Sequence, residues 1–260
     1  MPRFTANISM LFQELPLTER FAAARRAGFG AVEIQFPYTE PPEDLDRARR
    51  DAGIPVVLIN TPAGDWEKGD RGLAGLPGRE AEFREALART LEYAEALGAQ
   101  RCHVMSGVPR PGTDRDACLE VLAANLRHAA AALDGAGVRA MVEAINGRHL
   151  PDYLIGRTEE AVAAIERAAH PNLALQCDLY HMWVNGEDLV PTLRRHLALI
   201  GHVQFADAPG RHEPGTGEID FPNVFRALDD MGYDGWVGAE YTPSGRTEDS
   251  LDWLRPYAEA

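Results

Sequence analysis

Four polar residues sit near the C-terminal ends of four consecutive apolar stretches: Glu143 in MVEAIN, Asp178 in LQCDLYH, Gln204 in HVQFAD and Glu240 in VGAEY. Side chains alternate along an extended strand, so residues of one parity face one way and their neighbours the other. The opposite-parity positions, Val142 and Ala144, Leu175 and Cys177, Val203 and Phe205, Val237 and Ala239, are all apolar and belong against an outer layer. The four polar residues therefore point together into an interior. Three carboxylates converging there repel one another and lose hydration, and these stretches contain no Lys or Arg to pair with them. A divalent ion held by three carboxylate oxygens and one amide oxygen is the simplest remedy, and hard oxygen ligands favour Mg²⁺ or Mn²⁺ over zinc. A single inward Glu is as often a salt-bridged structural group as a catalyst. Four on successive stretches without an internal base read as a site.

Residues near these stretches extend the set. His181, three positions after Asp178, is placed to hydrogen-bond a substrate oxygen or a metal-bound carboxylate, with an ordinary loop histidine as the bland alternative. His202 shares parity with Gln204 but lies deeper, where a satisfied core histidine is expected. Arg211 is a candidate clamp for a substrate carboxylate, since a guanidinium grips that group with two parallel bonds. Trp66, Lys68 and Arg71 could close over a bound acid. The remaining histidines, His103, His128, His149, His170, His196 and His212, receive no role from spacing.

Eight strands are expected to position these groups, near Phe4 to Met10, Ala31 to Phe36, Pro55 to Asn60, Arg101 to Ser106, Ala140 to Ile145, Leu173 to Asp178, Gly201 to Ala206 and Gly235 to Tyr241. Helical stretches fill the gaps: Leu17 to Ala27, Pro42 to Ala52, Arg79 to Leu97, Arg115 to Leu133, Glu159 to Ala168, Leu189 to Leu197, Pro222 to Met231 and Glu248 to Tyr257. Gly28, Gly98, Gly135 and Gly232 stand where helix C-caps are wanted, and Thr158 before Glu159 and Glu160 resembles an N-cap. Eight alternations without a linker imply one α/β domain over residues 1–260, a (β/α)8 TIM barrel with a parallel core, with an open doubly wound sheet as the alternative. The two long connections, Thr61 to Gly78 and Pro209 to Asp220, follow strand C-termini and are expected to be lids or substrate contacts.

The chain has 260 residues, 45% apolar and 25% charged, enough for one sizeable core. Its formal charge of −14 repels phosphate backbones and anionic lipid, so nucleic acid and membrane are not expected partners. A small anionic hydroxy-carbonyl substrate would need local basic residues; a homo-oligomer stays open. Cys102, Cys118 and Cys177 form no CxxC pair or disulfide framework and point to a reducing, cytoplasmic setting. The opening MPRFTANISMLF lacks the apolar run of a signal peptide, and no stretch approaches the roughly 20 apolar residues of a membrane span. No GxGxxG or Walker-type loop occurs, so a nucleotide cofactor is not indicated.

The segments RFTANISMLF, NTPAGDWEKGDRGLAGLPGRE, VEAIN, QCDLYHM, GHVQFAD, EPGTGEID and GWVGAEY resemble hydroxypyruvate isomerases, within the xylose isomerase-like barrel superfamily. The resemblance runs through essentially the whole chain. It implies that Glu143 and Glu240 are the proton donor and acceptor, and that Glu143, Asp178, Gln204 and Glu240 are metal ligands in the metal-binding relatives. Many superfamily members have His where this chain has Gln204, which weakens the case for zinc or cobalt. The implied reaction interconverts hydroxypyruvate and 2-hydroxy-3-oxopropanoate (tartronate semialdehyde) through an enediol. Alternatives are a 2-oxo-tetronate isomerase, a keto-sugar epimerase, a metal-dependent endonuclease-like barrel and a non-catalytic ligand-binding barrel.

Overall fold

The computed structural model describes residues 1–257 and shows a closed, all-parallel barrel of eight strands in sequential order. The strands are β1 (Arg3–Asn7), β2 (Ala31–Ile34), β3 (Val56–Asn60), β4 (Arg101–His103), β5 (Arg139–Glu143), β6 (Leu173–Asp178), β7 (Ile200–Phe205) and β8 (Trp236–Ala239). The helices are α1 (Leu17–Arg26), α2 (Pro42–Ala52), α3 (Glu80–Leu97), α4 (Arg115–Gly135), α5 (Thr158–Ala168), α6 (Leu179–Val184), α7 (Leu189–His196) and α8 (Phe221–Asp230). Closure pairs β1 with β8 and leaves no free edge.

Local sequence sets the helix limits. Helix α2 opens on Pro41 and Pro42 with Glu43 and Asp44 in its first turn, carries Arg49 and Arg50 in its last, and stops at Gly53 in the left-handed region. In α8 the Asp220 side chain caps the Asn223 amide, and Phe221, Val224, Phe225 and Leu228 form one buried stripe. That stripe meets Phe4, Phe205 and Trp253, with ring centroids of Phe4 and Phe225 5.1 Å apart and of Phe205 and Trp253 5.0 Å apart. Each such side chain, fully buried, contributes about 1.5–3 kcal/mol. The apolar positions flanking the four polar residues, from Val142 to Ala239, all join this outer core, as alternation requires.

Four details differ from expectation. Gly135 is the last residue of α4, and the left-handed position after that helix falls on Gly137 (φ 71°). Thr158 lies inside α5, whose N-terminus is held by Glu160 accepting from the Gly156 and Arg157 amides. Glu248 to Tyr257 forms two 3-10 segments, Thr247–Ser250 and Asp252–Tyr257, because Pro256 supplies no amide proton for an α-helix. Helix α6 was not expected, being a single short element that begins directly at the end of β6.

The barrel interior is layered. Ala31, Leu58, Met141 and Ala174 form an apolar plug toward the strand N-termini, with Trp236 packed on it. Above it lies buried Glu33, which accepts from the Thr5 hydroxyl, from His202 Nε2 at 2.8 Å and from Gln204 Nε2 at 2.7 Å. Burial pushes this carboxyl up, but His202 and the three hydrogen bonds outweigh it and hold Glu33 below the usual carboxylate range. Gly238 makes room: a Cβ there would lie 2.0 Å from Glu33 Oε1. No helix among the described residues is long and apolar enough to cross a membrane.

Gly238→Ala is expected to destabilise the fold by about 1–3 kcal/mol through overpacking. Gly245→Ala, where a Cβ meets nothing within 4 Å, is expected to be near neutral. Urea unfolding of both variants checks this.

Candidate active site

Asp178 ends β6 and also caps α6: its Oδ1 accepts from the amides of Tyr180 at 2.8 Å and His181 at 3.4 Å. That turn carries His181 back over the barrel mouth. Ligand atoms of Glu143, Asp178 and His181 lie within 4.8 Å of one another, and all three residues are buried. Asp178 Oδ2 has no hydrogen-bond partner among the described residues, and His181 Nε2 stands 3.5 Å from it. An orphaned buried carboxylate oxygen beside a second carboxylate fits a hard divalent ion.

The network around Asn146 decides the tautomer of His181. Asn146 Oδ1 accepts from the backbone of Arg148 and His149, which turns its Nδ2 toward His181 Nδ1 at 2.7 Å. Nδ1 is then the acceptor, and the neutral ring carries its proton on Nε2, facing Asp178 and the cavity. Burial keeps that ring neutral by pushing its pKa down to about 3, against the pull of Asp178.

Glu143 and Glu240 are both buried and electrostatically linked. Burial, then Glu240 and Asp178, push Glu143 well above the ordinary range. Glu240 accepts from Asn7 Nδ2 at 3.3 Å and from Gln35 Nε2. Burial raises it to about 8, with Arg211 pulling down and Asp178 pushing up. His103 Nδ1 lies 3.1 Å from Glu143 Oε2, and burial pushes that imidazole down to about 3.

The positive partner absent from the strands comes from a loop. Arg211 reaches to 3.6 Å from Asp178 Oδ2 and 3.5 Å from Glu240 Oε2, and its guanidinium packs 5.1 Å from the Tyr180 ring centre. Burial alone would lower its pKa, but Glu240, Asp178 and Glu143 outweigh it and raise it. The loop that carries it is built on Asp207, whose carboxylate accepts four amides: Ala208 and Ile219 at Oδ1, Gly215 and Gly217 at Oδ2. Arg211 itself takes a left-handed backbone (φ 57°), costly for a side chain with Cβ. Asp207 is thus the centre of an ordered turn through residues 209–220, the loop expected to be a lid or a substrate contact, and that turn holds Arg211 at the carboxylates.

Not every expected residue reaches this cluster. Gln204 spends both ends of its amide in the layer of Glu33: Nε2 donates to Glu33 and Oε1 accepts from Gln176 Nε2 at 2.6 Å. That oxygen is satisfied there, so the expected fourth ligand is a strut in this structure. Trp66 is 53% exposed, packs on Phe36 with centroids 6.0 Å apart, and is covered by Arg71 at 3.6 Å. Phe36 directly follows Gln35, whose side chain donates to Glu240, so the Trp66 and Arg71 pair is anchored just beyond the end of β2. Lys68 turns away to Asp65 at 2.7 Å and lines a separate cavity of about 1070 Å³ with Asp70, Arg79 and Arg110. Sequence reasoning missed Glu33, Asn7, Gln35, His103, Asn146 and Asp207. Glu33 was detectable, as a lone charge between Val32 and Ile34; the others are polar residues whose partners lie far away in sequence.

The family described as xylose isomerase-like TIM barrel matches residues 21–257. The chain is 45% identical over 258 residues to 2-oxo-tetronate isomerase of Cupriavidus necator, covering 99% of each. It is 39% identical to hydroxypyruvate isomerase of Escherichia coli, covering 99% of this chain and 100% of that one. A crystal structure described as AP endonuclease, family 2, from Brucella melitensis superposes with a TM-score of 0.96 at 44% identity over 99% of both chains.

Two outcomes follow from this geometry. An acid whose pKa is raised on folding stabilises most below its unfolded value and loses that contribution as pH rises through the folded one. The protein without ligand is therefore expected to melt progressively lower between about pH 4.5 and the value near 8 of Glu240, and Glu240→Gln to flatten that slope in melts across pH. Asp207→Asn is expected to lower kcat/KM about 100-fold by letting Arg211 drift. Combined with Arg211→Gln it should add little, and steady-state kinetics of the double-mutant cycle measures the coupling.

Proposed function

We propose, because the chain belongs to the xylose isomerase-like TIM barrel family and is an enzyme of the isomerase type, that it moves a carbonyl between C2 and C3 of a short hydroxy-oxo acid. Hydroxypyruvate going to 2-hydroxy-3-oxopropanoate and 2-oxo-tetronate going to its 3-oxo isomer are the same change at these two carbons. The observation that carries the reading is the pair Glu143 and Glu240, buried, coupled and both raised, with Arg211 and His181 beside them.

One glutamate, ionised, removes the proton on C3. The C–H electron pair becomes the C2=C3 bond, and the C2 carbonyl oxygen takes up the charge, giving an enediolate that still carries the C3 hydroxyl. The C3 hydroxyl then passes its proton to the C2 oxygen as the C3 carbonyl forms, and the other glutamate, protonated, delivers its proton to C2. Atoms and electrons balance without an external oxidant. Such a pair needs one carboxyl charged and one neutral near pH 7, which two buried carboxyls both pushed above the ordinary range supply. The Nε2 proton of His181 donates to the developing oxyanion, and Arg211 takes the substrate carboxylate with two parallel bonds, exchanging its contacts with Asp178 and Glu240 for it. Mg²⁺ or Mn²⁺ held by Glu143, Asp178 and Glu240 would polarise the substrate's oxygens there. Trp66 and Arg71 at the rim restrict water. The net charge of −14 and three unpaired buried cysteines support a cytoplasmic enzyme of small anions over a nuclease.

Glu143→Gln and Glu240→Gln are each expected to lower kcat by roughly 10²–10⁴-fold while the melting temperature stays at or above wild type. Near-normal turnover in either refutes the pair. Hydroxypyruvate, 2-oxo-tetronate, ketoses and abasic DNA, each assayed with and without chelator, test the class. Turnover of a ketose alone, or cleavage of the DNA, would overturn it.

A further inference from the structure

The end of the barrel opposite the reaction site carries a second concentration of charge. Arg3, Arg101 and Arg139 are the first residues of β1, β4 and β5. Arg101 and Arg139 are register partners on adjacent parallel strands, so their side chains leave the sheet on the same side. That side is the interior: Arg101 Nε donates to the carbonyl of Gly201 at 2.7 Å, on β7 across the barrel floor. Two like charges at paired positions of neighbouring strands destabilise a sheet unless something compensates them.

No protein group does so among the described residues. Among the described residues, no carboxylate lies within the 4.0 Å ion-pair distance of any of the three guanidinium groups. Their acceptors are neutral: Gly201 O and Gln100 Oε1 for Arg101, Leu173 O at 3.3 Å for Arg139, and Asp234 O for Arg3. Burial lowers the Arg101 pKa; Tyr233 and Glu33 pull it back up, and Arg3 and Arg139 push it down to a smaller extent. Arg101 and Arg139 line a cavity of about 430 Å³ with Gln100 and Tyr233, and Leu197 and Ile200 form its apolar wall. Arg3 stands at its edge, bonded to Asp234. The one acidic residue on the lining, Asp234, offers its backbone carbonyl to Arg3 and forms no ion pair with Arg101 or Arg139.

We propose that this floor cavity binds a small multivalent oxyanion of the phosphate class between Arg101 and Arg139. Two guanidinium forks present planar paired donors that match tetrahedral oxyanion edges, and the uncompensated charge supplies the attraction. The apolar plug of Ala31, Leu58, Met141 and Ala174 separates this cavity from the carboxylates above. The bound anion therefore acts on stability and leaves the chemistry alone.

Calorimetric titration of the full-length protein with inorganic phosphate at fixed ionic strength tests the site. One phosphate per chain is expected, with a saturable rise in melting temperature of about 2–4 °C. Arg139→Gln, at an exposed position, should weaken binding about tenfold or more, the loss of one paired contact, with kcat/KM unchanged. Arg211→Gln should bind phosphate as wild type does, which separates the floor from the reaction site. Equal binding in Arg139→Gln and wild type, a response matched by chloride, or one abolished in Arg211→Gln would overturn the proposal. Tighter binding of malonate than of phosphate would overturn the anion class.

Discussion

Carboxyl groups crowded into a dry barrel mouth are the constraint to which the rest of this structure answers. Two unit charges about 4 Å apart repel by about 4 kcal/mol at an effective dielectric of about 20, before the loss of hydration is counted. Holding a proton on a glutamate carboxyl of ordinary pKa at pH 7 costs about 3.7 kcal/mol and leaves no charge to dehydrate. Keeping a proton is therefore the smaller penalty, which is why Glu143 and Glu240 are both raised while the nearby guanidinium of Arg211 limits the rise. A carboxyl that keeps its proton in the same cavity as a second carboxyl is also what an isomerisation between adjacent carbons requires. Electrostatic penalty and catalytic requirement coincide in the same pair.

Glu33 shows the opposite solution at nearly the same burial. It has donors on every side, from Thr5, His202 and Gln204, and so is held below the ordinary carboxylate range where Glu143 is pushed above it. Its full set of partners makes it a structural centre: Gln204 is held by it, Gly238 is emptied for it, and three strands are tied together through it. Asp207 plays the same part outside the barrel, with four amides turned onto one carboxylate so that a strained Arg211 faces inward. Carboxylates with full donor sets build this molecule, and those with incomplete sets are the ones available for chemistry.

The strand pattern was legible because burial and alternation leave a trace in every residue. All eight strands lie where the apolar runs put them, and the parity of Val142, Cys177, Phe205 and Ala239 against Glu143, Asp178, Gln204 and Glu240 agrees with the outer core. Three things were not legible, for one reason. The short helix α6, the commitment of Gln204 to Glu33, and the entry of Arg211 between Asp178 and Glu240 depend on contacts between residues distant in sequence. Alternation says which face a side chain leaves by, but not what it meets there. Gln204 and Glu33 are 171 positions apart, and no periodicity records that they touch.

Layering then explains how one barrel reconciles rigidity with reactivity. The outer aromatic and aliphatic core and the plug at Met141 supply packing that does not depend on charge, so they tolerate a wide range of conditions. The Glu33 layer fixes strand register above the plug, because a buried ion with several donors has few alternative arrangements of comparable energy. Only the top layer, where donors to the carboxyls are incomplete, responds strongly to protons, and it is carried on strand ends that the two lower layers hold still. A reaction that moves one proton between two adjacent carbons tolerates little displacement of its acid and base. Placing the unsatisfied carboxyls above two satisfied layers confines the electrostatic instability to the place where it is used.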